Sequence, residues 1–150
     1  MYYTKLWIQR EMMMKERLSY GTDDASFKAA GELAGLTKLS QSFYGYMDTL
    51  ASARTIRAMH PDDLSESVKK LAYFLSGWLG GPKHYPANYG PIRIPAAHQH
   101  LAIGHEESDA WIECMQHAVN DQRYDADFKE YLVTQLRVPA ERIRQACQST

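Results

Sequence analysis

The chain has few cysteines, almost no excess charge and no long run of apolar residues. Two cysteines in 150 residues exclude a disulfide framework and favour a reducing compartment. Seventeen basic residues against 18 acidic ones leave a formal charge of −1, which provides no net field toward nucleic acid or an anionic membrane. Polar residues from Lys5 to Glu11 interrupt the N-terminal apolar runs, so neither a signal peptide nor a membrane span is predicted. We therefore expect a cytoplasmic protein with small-molecule or protein partners.

Alternating runs of the β-strand type are also scarce, whereas helical spacing is common. Residues 36–50 place apolar side chains three or four positions apart, which predicts an amphipathic helix. A second helix is predicted to begin at Pro61-Asp62-Asp63, because proline and acids suit a first turn. It is predicted to end at Gly80-Gly81-Pro82, where glycine suits the C-terminal cap and proline cannot continue the helix. Two further helices are predicted around Trp111 and Leu132.

Prolines and glycines define the predicted breaks between these helices. The segment from Lys83 to Ala97 contains three prolines and Gly90, which predicts an ordered loop with a short helical turn after Pro95. Pro139 predicts a break or kink in the last helix, with a short helical tail beyond it. Together these patterns indicate an all-α domain over residues 26–150, preceded by an N-terminal extension over residues 1–25 that is expected to be helical.

The densest group of metal-ligating side chains lies between residues 98 and 114. It consists of His98, His100, His105 and Cys114, and on pattern alone it is a metal site, a single ligand to a cofactor, or solvated surface. Zinc is disfavoured, because structural zinc sites use four ligands in compact pairs of the C-x-x-C kind. Cys114 instead falls on a predicted helix, where we expect it to be buried as a small apolar group.

Four blocks of the sequence resemble the group II truncated haemoglobins, which are short globins with a two-over-two helical sandwich around haem. The resemblance covers roughly residues 26–137, and the blocks fall in the family's order. They are Phe43-Tyr44, then HPDDL from His60, then FLSGWLGGP from Phe74, and finally His98, Ile103-Gly104 and DAWIECM from Asp109.

The resemblance implies haem b, iron protoporphyrin IX, as the cofactor and His98 as its proximal iron ligand. The thirteen residues from His98 to Trp111 keep the family's spacing, whereas His100 and His105 do not fit. The implied distal ligand-binding residues are Tyr44, His60, Ser67, Leu71 and Trp111, of which Tyr44, His60 and Trp111 are the expected hydrogen-bond donors. The implied haem-pocket residues are Phe43, Phe74, Lys70, Tyr85 and Arg93.

The expected function is reversible binding of oxygen, and also of nitric oxide and carbon monoxide. A haem needs one axial imidazole from the protein and an open opposite face, and the second ring N–H of His98 should bond a nearby carbonyl or carboxylate. One alternative is a haem enzyme that uses the same pocket to remove nitric oxide or peroxide. A second alternative is a haem-free helical interaction module, its pocket collapsed around the segment from Pro95 to Ala97. An unidentified reductase and a homo-oligomer are further expected partners.

Overall fold

The computed structural model describes residues 7–9 and 19–148, in which every regular element is helical. The helices are α1 Ala25–Ala29, α2 Glu32–Thr49, α3 Arg54–Ala58, α4 Ser65–Trp78, α5 His84–Tyr89, α6 Ile94–His98, α7 His105–Asn120 and α8 Ala126–Gln148, with a 3₁₀ turn at Ala51–Ala53. The predicted all-α class is confirmed. Most of the predicted helical extension over residues 1–25 lies outside the described residues, although 7–9 are helical. Within the described ranges, no helix has the length and apolar character to cross a membrane.

The four long helices form the core. Helix α2 packs against α4 and α7, and α7 packs against α8, which gives two helices over two. The side chains at the centre are fully buried and come from all four helices: Leu36, Leu39, Phe43, Met47, Leu75, Cys114, Met115, Val119, Phe128, Leu132 and Leu136. Most of them occupy the positions that helical spacing had predicted to face inward.

The C-terminal end of α4 lies where the glycine pair predicted it. Gly80 has a φ of 90°, and a Cβ there would lie 1.8 Å from the carbonyl oxygen of Asp23. A Cβ on Gly81 would lie 2.4 Å from the Phe27 ring. Glycine is therefore required twice, once for the left-handed conformation and once for the close approach to α1.

The predicted start of α4 was wrong by a few residues. The helix begins at Ser65 instead of Pro61. The Asp63 carboxylate accepts hydrogen bonds from the Ser65 backbone N–H at 2.9 Å and from the Ser65 hydroxyl at 2.7 Å. Because an aspartate can bond the backbone two residues ahead, it forms a turn before the helix.

The segment from Lys83 to Ala97 was predicted as a loop with a short helical turn after Pro95. Helix α6 corresponds to that turn, whereas α5 was not predicted. Pro86 is the third residue of α5 and Pro95 is the second residue of α6. Proline is tolerated in a first turn, where its missing N–H has no intrahelical partner to lose. These prolines therefore mark helix starts.

Helix α8 continues through Pro139, so the predicted break is absent. Leu136, Ala140 and Ile143 keep helical spacing across the proline. The C-terminal part of α8 packs against α6, and this tertiary contact offsets the loss of one backbone hydrogen bond at Pro139. The helix consequently reaches the segment that contains His98.

Candidate functional site

A cavity of about 390 Å³ lies between α2, α4, α6, α7 and α8. Its volume falls within the range of small-molecule and cofactor pockets, and its walls are mainly apolar. Ten predicted site residues line it: Tyr44, His60, Ser67, Lys70, Leu71, Phe74, Tyr85, Arg93, His98 and Trp111. Ala97 also lines the cavity, so the collapse expected for a haem-free module is not observed.

His98 is the last residue of α6 and is half-buried. Its Nδ1 lies 2.7 Å from the backbone carbonyl oxygen of Ile94, one helical turn earlier. A carbonyl can only accept, so in the neutral ring Nδ1 carries the proton and Nε2 keeps its lone pair. The expected bond from the second ring nitrogen is therefore present, and its partner is a carbonyl. A neutral imidazole held in this way can ligate iron through Nε2.

The carbonyl of His98 is itself held from two directions. It accepts the backbone N–H of Leu101 at 2.9 Å and the Cys147 thiol, whose Sγ lies at 3.0 Å. Cys147 belongs to the part of α8 beyond Pro139, outside the sequence resemblance. The C-terminal part of α8 thus positions the end of the helix that bears His98.

The other members of the histidine and cysteine group are separated from this cavity. His100 and His105 are exposed and do not line it. Cys114 is fully buried in α7, and burial raises the pKa of its thiol to about 11, which keeps the thiol protonated. Across residues 7–9 and 19–148, no three histidine, cysteine or acidic side chains are grouped as metal ligands. The arrangement does not fit a zinc site, which needs four ligands.

Tyr44 and Trp111 offer hydrogen-bond donors to the cavity from α2 and α7. Burial raises the pKa of Tyr44 to about 12, so the phenol stays protonated and can donate. The Trp111 indole N–H can only donate. Neither group is hydrogen-bonded to another described residue. Both donors are therefore available to a molecule inside the cavity.

Phe43 is the one predicted pocket residue that does not line the cavity. It is fully buried, with its ring centroid 4.9 Å from that of Tyr44 and 5.0 Å from that of Trp111. Its ring therefore supports the two donors from behind and is not itself part of the wall.

His60 follows α3, and its ring is hydrogen-bonded to a backbone carbonyl of that helix. Its Nδ1 lies 2.7 Å from the carbonyl oxygen of Ile56, so the proton of the neutral ring is on Nδ1 and Nε2 is an acceptor. Burial lowers the pKa of His60, the bond to Ile56 opposes this effect, and electrostatic interaction with Arg57 and with His98 when it is protonated lowers the pKa further. The neutral ring is consequently favoured, and it accepts hydrogen bonds at Nε2. The expectation that His60 is a distal donor is therefore wrong for the neutral ring, because its one N–H is already bonded to Ile56.

Arg57 fixes the turn that contains His60. Its guanidinium donates to the carbonyls of Pro61 and Asp62, both at 3.0 Å, and pairs with the Asp48 carboxylate at 2.9 Å. Charge-assisted bonds of this kind are shorter and stronger than neutral ones. The turn after α3 is thereby joined to α2, the helix that bears Tyr44.

Two cationic side chains, Lys70 and Arg93, line the cavity and are exposed, so they lie at its rim. Ser67 and Leu71 lie on the same helix as Lys70, and Tyr85 comes from α5. This part of the cavity therefore combines small, apolar and positively charged groups.

Sequence reasoning missed part of the wall. The residues not predicted include Ile56, Met59, Ile92, Ile103, Glu107, Leu136, Ala140 and Ile143. The α8 members continue the helical spacing of Phe128 and Leu132, so a signal was present in the sequence. It was hidden because Pro139 was interpreted as a break.

Comparison with known proteins places this arrangement in a family. Residues 25–145 match the family described as bacterial-like globin. Group 2 truncated hemoglobin YjbI of Bacillus subtilis (strain 168) is 32% identical over 115 residues, which span 77% of this chain and 87% of that protein. The group II 2-on-2 hemoglobin from the plant pathogen Agrobacterium tumefaciens is 33% identical, with a TM-score of 0.75 over 79% of this chain and 92% of that chain. The cold-adapted truncated hemoglobin from the Antarctic marine bacterium Pseudoalteromonas haloplanktis TAC125 is 27% identical, with a TM-score of 0.75 over 79% and 95% of the two chains. The chain therefore belongs to the bacterial-like globins and is a group II truncated haemoglobin, a haem protein of the two-over-two helical fold.

Proposed function

We propose that this globin holds haem b in the cavity through His98 and reversibly binds oxygen, nitric oxide and carbon monoxide. The observation that supports it most directly is the bond from His98 Nδ1 to the Ile94 carbonyl. That bond selects the tautomer in which Nε2 is free, which is the form an iron ligand needs. His98 would hold the iron of a bound haem, and the haem would supply the site at which a diatomic ligand binds.

Tyr44 and Trp111 act as the distal donors in this proposal. A ligand that gains negative charge in the cavity is stabilised by charge-assisted hydrogen bonds, each worth about 1.5–3 kcal/mol. Both donors lie in a largely apolar cavity, where such bonds are stronger than in water. His60 complements them as an acceptor, which can orient a hydroxyl group but cannot donate from Nε2 while neutral.

Lys70 and Arg93 bind the propionate groups of the haem in this proposal, since they are the exposed cations that line the rim. Ser67 leaves the distal entrance open because its side chain is small, and Leu71 excludes water beside it. Phe74 and Tyr85 complete the wall around the macrocycle.

We also propose that the protein works in the cytoplasm with a reductase. Cys114 is buried as a thiol and forms no disulfide, as is usual in a reducing compartment. Iron must be ferrous to bind oxygen, so an electron donor has to restore it after oxidation.

Haem retention tests the ligand assignment. We expect the purified protein to show an intense Soret band and His98→Ala to lose haem to excess apomyoglobin many times faster than the parent protein. His100→Ala is the matched control, because His100 is an exposed histidine two residues away, and it should retain haem. Added imidazole should restore the His98→Ala spectrum by filling the vacated volume. Retention in His98→Ala together with loss in His100→Ala would contradict the assignment.

A further inference from the structure

A group of aromatic side chains from α4 and α5, the aromatic cluster, adjoins the cavity. It consists of Tyr73, His84, Tyr85 and Tyr89. Tyr85 lines the cavity, and its ring centroid lies 5.0 Å from that of Tyr89. The ring centroids of Tyr89 and Tyr73 lie 6.4 Å apart, and those of Tyr73 and His84 lie 5.2 Å apart. All four rings are partly exposed, so closely spaced aromatic rings connect the cavity wall with solvent.

Tyr89 differs from the other members of the cluster because its hydroxyl donates a hydrogen bond to a carboxylate of α4, that of Glu66. This bond raises the pKa of Tyr89 to about 12. A phenol becomes a strong acid when it loses an electron, so an acceptor already bonded to the hydroxyl can take the proton at once. Glu66 is exposed and can pass that proton to water.

A positive charge beside Tyr89 also favours loss of the hydroxyl proton when the ring is oxidised. The Lys70 ammonium lies 5.2 Å from the centre of the Tyr89 ring. A cation attracts an electron-rich ring and disfavours a ring that has lost an electron while keeping its proton. Oxidation of Tyr89 should therefore yield the neutral phenoxyl radical, with the proton transferred to Glu66.

Neither of two other tyrosines combines these features. Tyr44 lines the cavity, but its hydroxyl bonds no carboxylate among the described residues. The Tyr46 hydroxyl donates to the Asp121 carboxylate at 2.6 Å, but Tyr46 does not line the cavity. Tyr89 combines a proton acceptor with ring contact to a residue of the cavity wall.

We propose that Tyr89 is a redox-active tyrosine that donates electrons, through Tyr85, to a peroxide reduced in the haem cavity. The inference rests on the proposed haem site and adds an activity to it. Hydrogen peroxide takes two electrons and two protons as its O–O bond breaks and two waters form. Two phenols of the cluster each lose one electron and one proton, which together supply the two electrons and two protons that the peroxide takes. Phenolic reductants in solution can then reduce the exposed Tyr89 radical.

Radical trapping tests the location of the oxidised residue. Haem-loaded protein is mixed with hydrogen peroxide and the spin trap 2-methyl-2-nitrosopropane, and the adduct is located by peptide mass spectrometry. We expect the adduct on Tyr89, its absence in Tyr89→Phe and a several-fold lower yield in Tyr85→Phe. Tyr46→Phe is the matched control, because it removes a phenol paired with a carboxylate elsewhere, and it should leave the Tyr89 adduct unchanged.

The role of Glu66 is tested by Glu66→Gln, which keeps the side-chain size and removes the proton acceptor. We expect a several-fold lower yield of the Tyr89 adduct at an unchanged Soret band. Adducts confined to Tyr44 or Trp111, or a Tyr89 yield that is equal in Glu66→Gln, would overturn the proposal while leaving the haem site intact. A protein without a Soret band before peroxide is added would overturn the haem proposal itself, and this inference with it.

Discussion

The Tyr44 ring lies edge-on against the His60 imidazole, with centroids 5.5 Å apart and planes at 69°. Phe43 contacts Tyr44 in a similar edge-on geometry on α2 and also contacts Trp111. The two proposed distal donors therefore share one buried support, although they come from different helices. A substitution of either residue should consequently alter the packing of the other through Phe43.

Removing either distal donor should accelerate oxygen release. Tyr44→Phe and Trp111→Phe each delete a hydrogen bond to a charged ligand, worth about 1.5–3 kcal/mol, so dissociation should be roughly ten to a hundred times faster. Stopped-flow displacement of oxygen by carbon monoxide measures these rates. In the double variant the effects should not add, since both donors serve one ligand. Unchanged rates in both single variants would remove the distal-donor argument.

His60 should make folding stability depend on pH. Its pKa is lowered in the folded protein, mainly by burial, whereas in the unfolded chain it stays near 6.5. The stabilisation from the neutral ring is therefore present above about pH 6.5 and is lost as the pH falls through the lowered value. Urea unfolding from about pH 8 to about pH 5 should show a steeper decline for the parent protein than for His60→Gln. His98 and Arg57 are present in both proteins, so a difference between the two pH profiles would come from His60. Parallel profiles would contradict this prediction.

Ser40 offers a stabilising substitution. It is fully buried in α2, and its hydroxyl has no hydrogen-bond partner among the described residues. A buried hydroxyl without a partner costs roughly 1–3 kcal/mol, so Ser40→Ala should raise the free energy of unfolding by about 1 kcal/mol. Ser76→Ala is the matched control, because Ser76 is equally buried in a helix but donates to the Pro82 carbonyl at 2.7 Å. It should be destabilised by about 1 kcal/mol, and a loss of stability in Ser40→Ala would refute the argument.

The C-terminal half of α8 should contribute to haem retention. Ile143 lines the cavity and is partly buried, so Ile143→Ala should cost roughly 1–2 kcal/mol of folding free energy, less than a fully buried isoleucine. It should also speed haem loss to apomyoglobin. Val138→Ala, at a side chain 49% exposed on the same helix, should change stability by less than about 0.5 kcal/mol. Equal haem loss from the two variants would show that this part of α8 is dispensable.

The parts of the fold that could be predicted depend on local chemistry. The end of α4 was predicted because Gly80 must adopt a positive φ and Pro82 cannot continue a helix. The inward faces of α2 and α7 were predicted because apolar side chains recur at helical spacing over many residues. The order and spacing of the four sequence blocks predicted that His98, Tyr44 and Trp111 belong to one site. The structure places all three around one cavity.

The parts that were missed depend on contacts between distant segments. Helix α5 spans six residues, too few to show periodicity, and it contains a proline that is also typical of loops. Continuation of α8 past Pro139 is stabilised by packing on α6, which no local pattern reveals. The Ile94 carbonyl that orients His98 is a backbone group, so residue identity could not indicate it.

The cavity walls include Tyr44 and Ile143, which are about a hundred positions apart in the chain. No short fragment can assemble both walls, so a compound that occupies this space recognises only the complete native domain. Occupancy is thereby linked to folding by mass action: at a free concentration one hundred times its dissociation constant, such a compound adds about 2.7 kcal/mol to the unfolding free energy. The melting temperature of this globin should accordingly rise with the concentration of the bound compound, and its stability in a cell should depend on cofactor supply.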